Sequence, residues 1–244
     1  IIVYINKNDV LSKLINVLRS NLQHRTDPRA TATILNLVLG LARSRVLAEC
    51  LSGMSLIPTL AVPSFARFVN NNLSRGNDDD GNGKDSWHKV WCGVLLVLTQ
   101  MGRSMFSSKK YVRVLIQVLT LYYPRVDMAM NVEAHKQGAK NLSKEARAKE
   151  ICYTVQLMYM LTEFIDSREM AARTSVLICQ LVDWLSTEQK SQTPDEIDGF
   201  VQFTEEERST HDHLNMALGA CLSTLRAIQV MLMKQEALTF FLPF

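Results

Sequence analysis

The stretch from Trp87 to Met101 is the sequence feature that most constrains the fold of this chain. Its apolar side chains recur around the whole circumference of a helix with 3.6 residues per turn, and not along one stripe. They are Trp87, Val90, Trp91, Val94, Leu95, Val97, Leu98 and Met101. Such a helix is stable in water only if neighbours cover several of its faces. The stretch therefore predicts a buried inner helix at 87–101 that other helices surround.

Other segments combine helical periodicity with recognisable helix starts. Asp27 before Pro28 predicts one start, and Ser143 predicts the start of a segment that begins charged and becomes apolar. Thr204 before three glutamates predicts the start of a long last helix with apolar positions up to Leu232. No segment has the sustained alternation of apolar and polar residues that is typical of a strand. The sequence thus predicts an all-α fold.

Helix pairs recur along the chain at a long period. The apolar segments at Leu35, Val94 and Val155 are offset by 59 and 61 residues, and a fourth lies around Leu222. Glycine turns separate paired helices, and Pro124 predicts the end of a helix over 109–123. This recurrence is typical of an α-solenoid of irregular HEAT- or armadillo-like helical pairs with long polar loops. An irregular bundle of unrelated helices is the alternative.

Polar stretches at about 70–86, 131–142 and 187–207 predict flexible surface loops between these helices. In the first of them, residues 78–85 alternate oxygen-bearing side chains as a calcium loop does. The terminal glutamate of such a loop is missing, so a solvated linker is favoured. We expect residues 1–244 to form a single helical solenoid segment, and the apolar residues at both ends predict that it is a fragment of a longer solenoid.

The composition restricts the classes of partner and compartment. A net charge of +3 over 244 residues does not indicate nucleic-acid binding, and no apolar run approaches the length of an uncharged membrane span, so we expect neither nucleic acid nor membrane insertion. The five cysteines, at 50, 92, 152, 179 and 221, lie in apolar segments without a Cys-x-x-Cys spacing. They predict reduced core thiols in a cytosolic or nuclear compartment.

No arrangement of residues indicates catalysis or metal binding. His211 and His213 are two positions apart, which places their rings on different sides of a helix. His88 and Cys92 share a helix face but have no orienting acid nearby, which favours a packed core pair over a nucleophile and its base. We therefore predict no catalytic, metal-binding or cofactor-binding residues, no small-molecule substrate and no enzymatic activity.

Two segments carry a family resemblance. Trp87-His-Lys-Val-Trp91 opens an apolar helix after a polar loop, and Ala42-Arg-Ser-Arg-Val-Leu-Ala-Glu-Cys-Leu-Ser-Gly53 lies upstream of it. With the helical pattern of the whole chain, they resemble the C-terminal tail of the giant inner-ring scaffold nucleoporins, and among these the smaller of the two paralogues.

The resemblance implies a non-enzymatic scaffold of the nuclear pore complex in the nuclear envelope, which supports nucleocytoplasmic transport. Its partners would be other nucleoporins that bind through short helical segments. A similar pattern belongs to nuclear transport receptors, so a helical-repeat protein that binds peptides or cargo is the alternative function.

The apolar residues near the end of the chain predict a partner-binding groove for an amphipathic helix. The predicted groove residues are Met216, Met231, Met233, Leu238, Phe240 and Phe241. The alternative is that this end of the chain packs on the preceding repeat.

Overall fold

The structure is a computed structural model that describes residues 9–72, 83–105, 109–133, 142–162, 168–191 and 204–241. For residues 72, 83–85, 109–110, 168, 191 and 235–241 it describes the backbone but not the side chains. These described segments are helices joined by turns and contain no strand. The predicted all-α fold is therefore confirmed.

The chain divides into two compact units, one formed mainly by residues 1–126 and one mainly by residues 127–244. The helices of the first unit are α1 (Val10–His24), α2 (Pro28–Ala42), α3 (Arg45–Gly53), α4 (Leu56–Leu60), α5 (Pro63–Asn72), α6 (Gly83–Ser104) and α7 (Lys109–Leu121). Helix α8 (Tyr123–Met130) begins in the first unit and ends in the second. The second unit continues with α9 (Lys144–Leu161), α10 (Arg168–Ser191) and α11 (Glu205–Phe241). That both units form one solenoid segment stays a prediction.

The predicted helix starts are found at the predicted residues. The Asp27 side chain accepts a hydrogen bond from the Ala30 backbone N–H at 2.9 Å, and Pro28 is the first residue of α2. Ser143 accepts from the Ala146 N–H at 3.1 Å at the start of α9. Each side chain satisfies an N–H group that has no acceptor within its own helix, which is why the chain starts a helix there.

Several boundaries differ from the prediction. Pro124 does not simply end a helix, because it is the second residue of α8, where its missing N–H costs no hydrogen bond. Helix α5 was not predicted, although Pro63 begins it in the same way. Helical residues also extend into the edges of all three predicted loops, at 70–72 and 83–86, at 132–133, and at 187–191 and 205–207. Residues 73–82, 134–141 and 192–203 lie outside the described part.

The core of the first unit is centred on α6, as predicted. Its side chains from Trp87 to Met101 are buried on nearly every side, and α2, α3 and α7 pack against it. Aromatic rings fill the space around its first half: Trp91 lies 4.8 Å from the ring of Tyr122, and Trp87 lies 6.0 Å from that of Phe65. These rings bury large apolar areas, so they account for much of this unit's stability.

The core of the second unit is made of aliphatic and small side chains from α9, α10 and α11. Its members are Met130, Ala148, Ile151, Cys152, Val155, Ile178, Leu181, Leu185, Leu214, Ala217 and Cys221. Helix α11 packs against both α9 and α10. Its fully buried residues recur at intervals of four and three positions, from Thr210 to Ile228, so they form one stripe along the helix.

One expectation about the core, that all five cysteines are core thiols, is wrong in part, and the four aligned apolar segments differ in burial. Leu35, Val94 and Val155 are buried as the repeat alignment requires, but Leu222 is 53% exposed. The fourth apolar segment therefore exposes Leu222 to solvent, whereas the other three segments bury Leu35, Val94 and Val155. Among the cysteines, those at 92, 152 and 221 are buried, whereas Cys50 is half-buried and Cys179 is exposed, because they lie on the outer sides of α3 and α10.

Candidate binding surfaces

The side of α11 that faces away from the core carries several large apolar residues. Leu222, Val230 and Met233 are separated by about two and three helical turns and share one face, and Met216 lies at its edge. Their exposed fractions are 53%, 43%, 61% and 51%, respectively. Arg226, also exposed, lies on the same face between Leu222 and Val230. We refer to these five residues as the outer face of α11.

The structure brings together some of the predicted groove residues and separates others. Met216 and Met233 belong to the outer face of α11. Met231 is half-buried and lies nearer the core-facing stripe, so it does not share a face with Met233. The side chains of Leu238, Phe240 and Phe241 lie outside the described residues.

The sequence pattern identified Leu222 and Val230 only as apolar positions of the last helix and did not single them out as surface residues. Their positions around the helix, relative to those of the buried residues, could have indicated that both side chains face away from the core. Leu222 follows the buried Cys221 by one position, a rotation of about 100°, which turns it away from the core.

A pocket lies on another side of the second unit, between residues 131–133 and α10. Its volume is about 390 Å³, and it is lined by Asn131, Val132, Glu133, Gln180, Asp183, Trp184 and Thr187. The four residues from α10 are spaced i, i+3, i+4 and i+7, so they occupy one face of that helix. The sequence analysis did not identify this pocket, because it placed residues 131–142 in a loop.

The floor and the rim of this pocket differ in chemistry. Val132 and Trp184 form an apolar floor, since both pack against the core of the second unit. The rim carries the carboxyl groups of Glu133 and Asp183, amide groups and a hydroxyl. The Asn131 side chain accepts a hydrogen bond from the Glu133 N–H at 2.9 Å, which links two rim residues. None of the described residues that line the pocket is basic.

The charges of the chain are distributed unequally between its two parts. Residues 1–126 contain 16 basic residues (Lys and Arg) and 7 acidic residues (Asp and Glu). Residues 127–244 contain 11 basic and 17 acidic residues. The formal net charges are therefore +9 and −6, a difference that the overall value of +3 conceals. The pocket thus lies in the acidic part of the chain, where the net charge favours cationic ligands.

A polar network joins α9 to α11. Glu145 accepts hydrogen bonds from Lys149 at 2.5 Å and from Ser209 at 2.6 Å, and these bonds hold the pKa of its carboxyl below the ordinary value. The His213 ring contacts the Ser209 carbonyl at 2.6 Å and the Tyr153 hydroxyl at 3.3 Å. The contacts of Glu145 with Ser209 and of Tyr153 with His213 connect the two helices, so they fix the register of α9 against α11. Each contact joins residues that are about 60 positions apart in the chain.

The histidines that the sequence analysis considered for chemistry lie in two different settings. His211 contacts Asn215 at 3.0 Å, and His213 contacts the Tyr153 hydroxyl, so the two rings point to different sides as expected. His88 and Cys92 are both buried in the first unit, with the sulfur 3.8 Å from the Nδ1 atom of the ring. Among the described residues, no group of three or more His, Cys, Asp or Glu side chains is arranged to hold a metal ion.

Burial changes the acidity of two thiols in the second unit. It raises the pKa of Cys152 to about 11 and that of Cys221 to about 12, because a thiolate loses its hydration in an apolar core. The neighbouring Cys152 adds to the effect on Cys221. Both thiols are therefore protonated and unreactive near neutral pH.

Helix α11 also meets a composition criterion that the sequence analysis did not anticipate. Within residues 205–234 it contains a stretch that is long and apolar enough to cross a membrane, with a mean hydropathy of 1.5 and 22% of that stretch buried. The sequence did not predict this stretch as a membrane span, because Arg226 interrupts its run of uncharged residues. Only the length and the composition of α11 match those of a membrane span. One stripe of the same helix packs in the core of the second unit.

Comparisons with known proteins return no relative. No protein-family model, no curated protein and no solved structure matches this chain.

Proposed function

We propose that the chain is a non-enzymatic scaffold that binds other proteins through the outer face of α11. The exposure of four large apolar residues on that face is the observation that carries the proposal. A helix whose opposite stripe already forms the core gains nothing in the isolated protein from apolar residues in water. A partner that covers them would gain the free energy of their burial.

The occupant that fits this face is an amphipathic helix from the partner. Apolar residues spaced over three turns on α11 match a partner helix with apolar anchors at i, i+3, i+4 and i+7. Arg226 lies within the face, so the partner helix would place an acidic side chain against it. Methionines at positions 216 and 233 adapt their shape to the partner's side chains.

We further propose that the fold is a HEAT- or armadillo-like solenoid segment and that the scaffold belongs to the inner ring of the nuclear pore complex. The support is the sequence resemblance at residues 42–53 and 87–91 to the giant scaffold nucleoporins, together with the all-helical fold. The partners would then be other nucleoporins, and the location would be the nuclear envelope.

The alternative function, that of a transport-type peptide receptor, requires an inner helix with a different surface. A receptor that reads a peptide along its inner helices would leave their polar groups accessible, whereas α6 is buried along most of its length. A scaffold uses such a helix for packing alone, so the burial of α6 favours the scaffold.

The experiment compares two leucine variants with equal exposure. Leu222→Asp changes the outer face of α11, and Leu37→Asp changes a residue of the first unit that is 52% exposed. Both purified variants and the wild type are immobilised, incubated with nuclear envelope extract, and their bound proteins identified by mass spectrometry. Far-ultraviolet circular dichroism checks that both variants remain folded.

We expect the wild type and Leu37→Asp to retain the same nucleoporins and Leu222→Asp to lose them. Equal retention by all three proteins would show that the outer face of α11 is not the docking site. Recovery of no nucleoporin by the wild type would contradict the nuclear pore assignment. Binding of the wild type to lipid vesicles in a flotation assay, abolished in Leu222→Asp, would assign the face to a membrane instead.

A further inference from the structure

We propose that the pocket between residues 131–133 and α10 binds an arginine side chain from a basic segment of a partner protein. The inference goes beyond the scaffold function, because it concerns another surface of the second unit and rests on the pocket alone. It would hold equally if the outer face of α11 had no partner.

The floor of the pocket provides a stacking surface. Trp184 packs on the core of the second unit, so the position of its ring is fixed by its neighbours and not by solvent. An indole is the aromatic group that attracts a cation most strongly, and a planar guanidinium can stack on it. Val132 beside it provides an apolar contact for the methylene groups of the same side chain.

The rim supplies the opposite charge. Glu133 and Asp183 lie on the two elements that border the pocket, one on the 131–133 segment and one on α10. The guanidinium has five N–H donors in a rigid plane, so it can reach more than one acceptor at once. The carbonyl oxygens of the Asn131 and Gln180 side chains are further acceptors of this kind.

The size and the surroundings agree with this occupant. A volume of about 390 Å³ is at the lower end of the range for small-ligand pockets, and it exceeds the volume of one long side chain. The net charge of −6 on residues 127–244 attracts a basic segment to this part of the chain and repels an acidic one. A lysine ammonium would meet the same charges but could not stack as a plane, which is why we assign arginine.

The test uses a short peptide, acetyl-Gly-Ser-Arg-Ser-Gly-amide, titrated into the ¹⁵N-labelled chain. The readout is the indole N–H signal of Trp184, which a Trp184→Phe spectrum identifies among the three tryptophans. The same peptide with citrulline in place of arginine keeps the planar shape and three of the five N–H donors, but a carbonyl oxygen replaces the charged NH₂ group. A third peptide carries lysine.

We expect the arginine peptide to shift the Trp184 signal in a saturable way, and the citrulline peptide to bind at least tenfold more weakly. The double variant Asp183→Asn/Glu133→Gln should bind the arginine peptide at least tenfold more weakly than the wild type. The control variant Glu169→Gln removes a carboxylate from an exposed ion pair with Arg173, on the same helix but outside the pocket. It should bind within twofold of the wild type.

Three results would overturn the proposal. Equal binding of the arginine and citrulline peptides would show that charge is not recognised. Equal binding of the lysine peptide would show that the pocket does not select a guanidinium. The absence of any shift of Trp184 in the folded wild type at millimolar peptide would show that the pocket does not take this side chain, whatever the outcome of the nucleoporin experiment.

Discussion

The helices α6 and α11 have similar apolar character but opposite surroundings. Helix α6 is covered by α2, α3 and α7, and nearly all of its large side chains are buried. Helix α11 packs one stripe against α9 and α10 and leaves Leu222, Val230 and Met233 exposed. The difference shows that apolar composition alone does not tell a core helix from a helix that keeps a face for a partner.

The two helices also differ in how closely their neighbours approach. A Cβ atom added at Gly93 of α6 would lie 3.1 Å from the Cδ1 atom of Leu35, whereas a Cβ atom added at Gly219 of α11 would meet no neighbouring element within 4 Å in the described part of the chain. A side chain at position 93 would thus crowd Leu35, whereas one at position 219 would not crowd a neighbour. The following predictions test this contrast.

Truncation of a core ring should have the largest effect. Trp91→Ala in α6 removes a fully buried ring that contacts Tyr122, so we expect a loss of about 3–5 kcal/mol in the free energy of unfolding. Leu222→Ala in α11 should change it by less than about 0.5 kcal/mol, because the leucine is already half in water. Urea denaturation followed by circular dichroism measures both. A loss above about 2 kcal/mol in Leu222→Ala would contradict the exposure of this face.

Alkaline pH should destabilise the unit that contains α11 through its thiols. The raised pKa values of Cys152 and Cys221 mean that the folded state keeps protons that the unfolded state releases above about pH 9. Stability is therefore full below pH 9 and falls as the pH rises toward 11–12, by about 1 kcal/mol per thiol at one pH unit above the unfolded pKa.

The measurement is the urea midpoint at pH 8, 9 and 10 for the wild type and for Cys221→Ala. The variant should be less stable at pH 8 but should lose less stability between pH 9 and 10. Identical slopes for the two proteins would exclude Cys221 as the source of the pH dependence.

Loss of the helix cap should have a moderate effect on α11. The Thr204 backbone N–H and hydroxyl both donate to Glu207 at 2.9 Å, and the Glu207 N–H donates back to the Thr204 hydroxyl at 3.2 Å. Thr204→Ala removes the side-chain part of this exchange and should cost about 1 kcal/mol. Thermal unfolding measures the loss. The backbone and side-chain hydrogen bonds from Thr204 lower the pKa of Glu207, so the cap should persist above the ordinary pKa of a glutamate and weaken as the pH falls below it. Thr204→Asp, which keeps a cap acceptor, should restore most of the stability.

The smallest effect comes from the two glycines. Gly219→Ala should stabilise the protein by about 0.5–1 kcal/mol, because alanine has the higher helix propensity and the added methyl group meets open space. Gly93→Ala gains the same propensity, but the methyl group presses on the buried Leu35, so its net effect should be less favourable. Chemical denaturation of both variants gives the comparison. Equal stabilisation would show that α2 can move away from α6.

The sequence predicted those features that depend on local chemistry. The caps at Asp27, Ser143 and Thr204 and the inner helix α6 follow from hydrogen-bonding groups and periodicity that lie within a few residues. The exposure of Leu222 depends on which side α9 and α10 occupy, which no local pattern states. The pocket could not be predicted because Glu133 and Asp183 are 50 positions apart and only the packing of two elements brings them together.

The packing of α11 also determines when the chain can fold during its synthesis. The described partners of α6 all precede residue 126, so the first core is complete in sequence once residue 126 has left the ribosome. The contacts from Glu145 to Ser209 and from Tyr153 to His213 span about 60 residues, and the second core closes only after Cys221 emerges. Until then, the apolar faces of α9 and α10 are uncovered on the nascent chain, which makes this interval the one in which a chaperone is needed most.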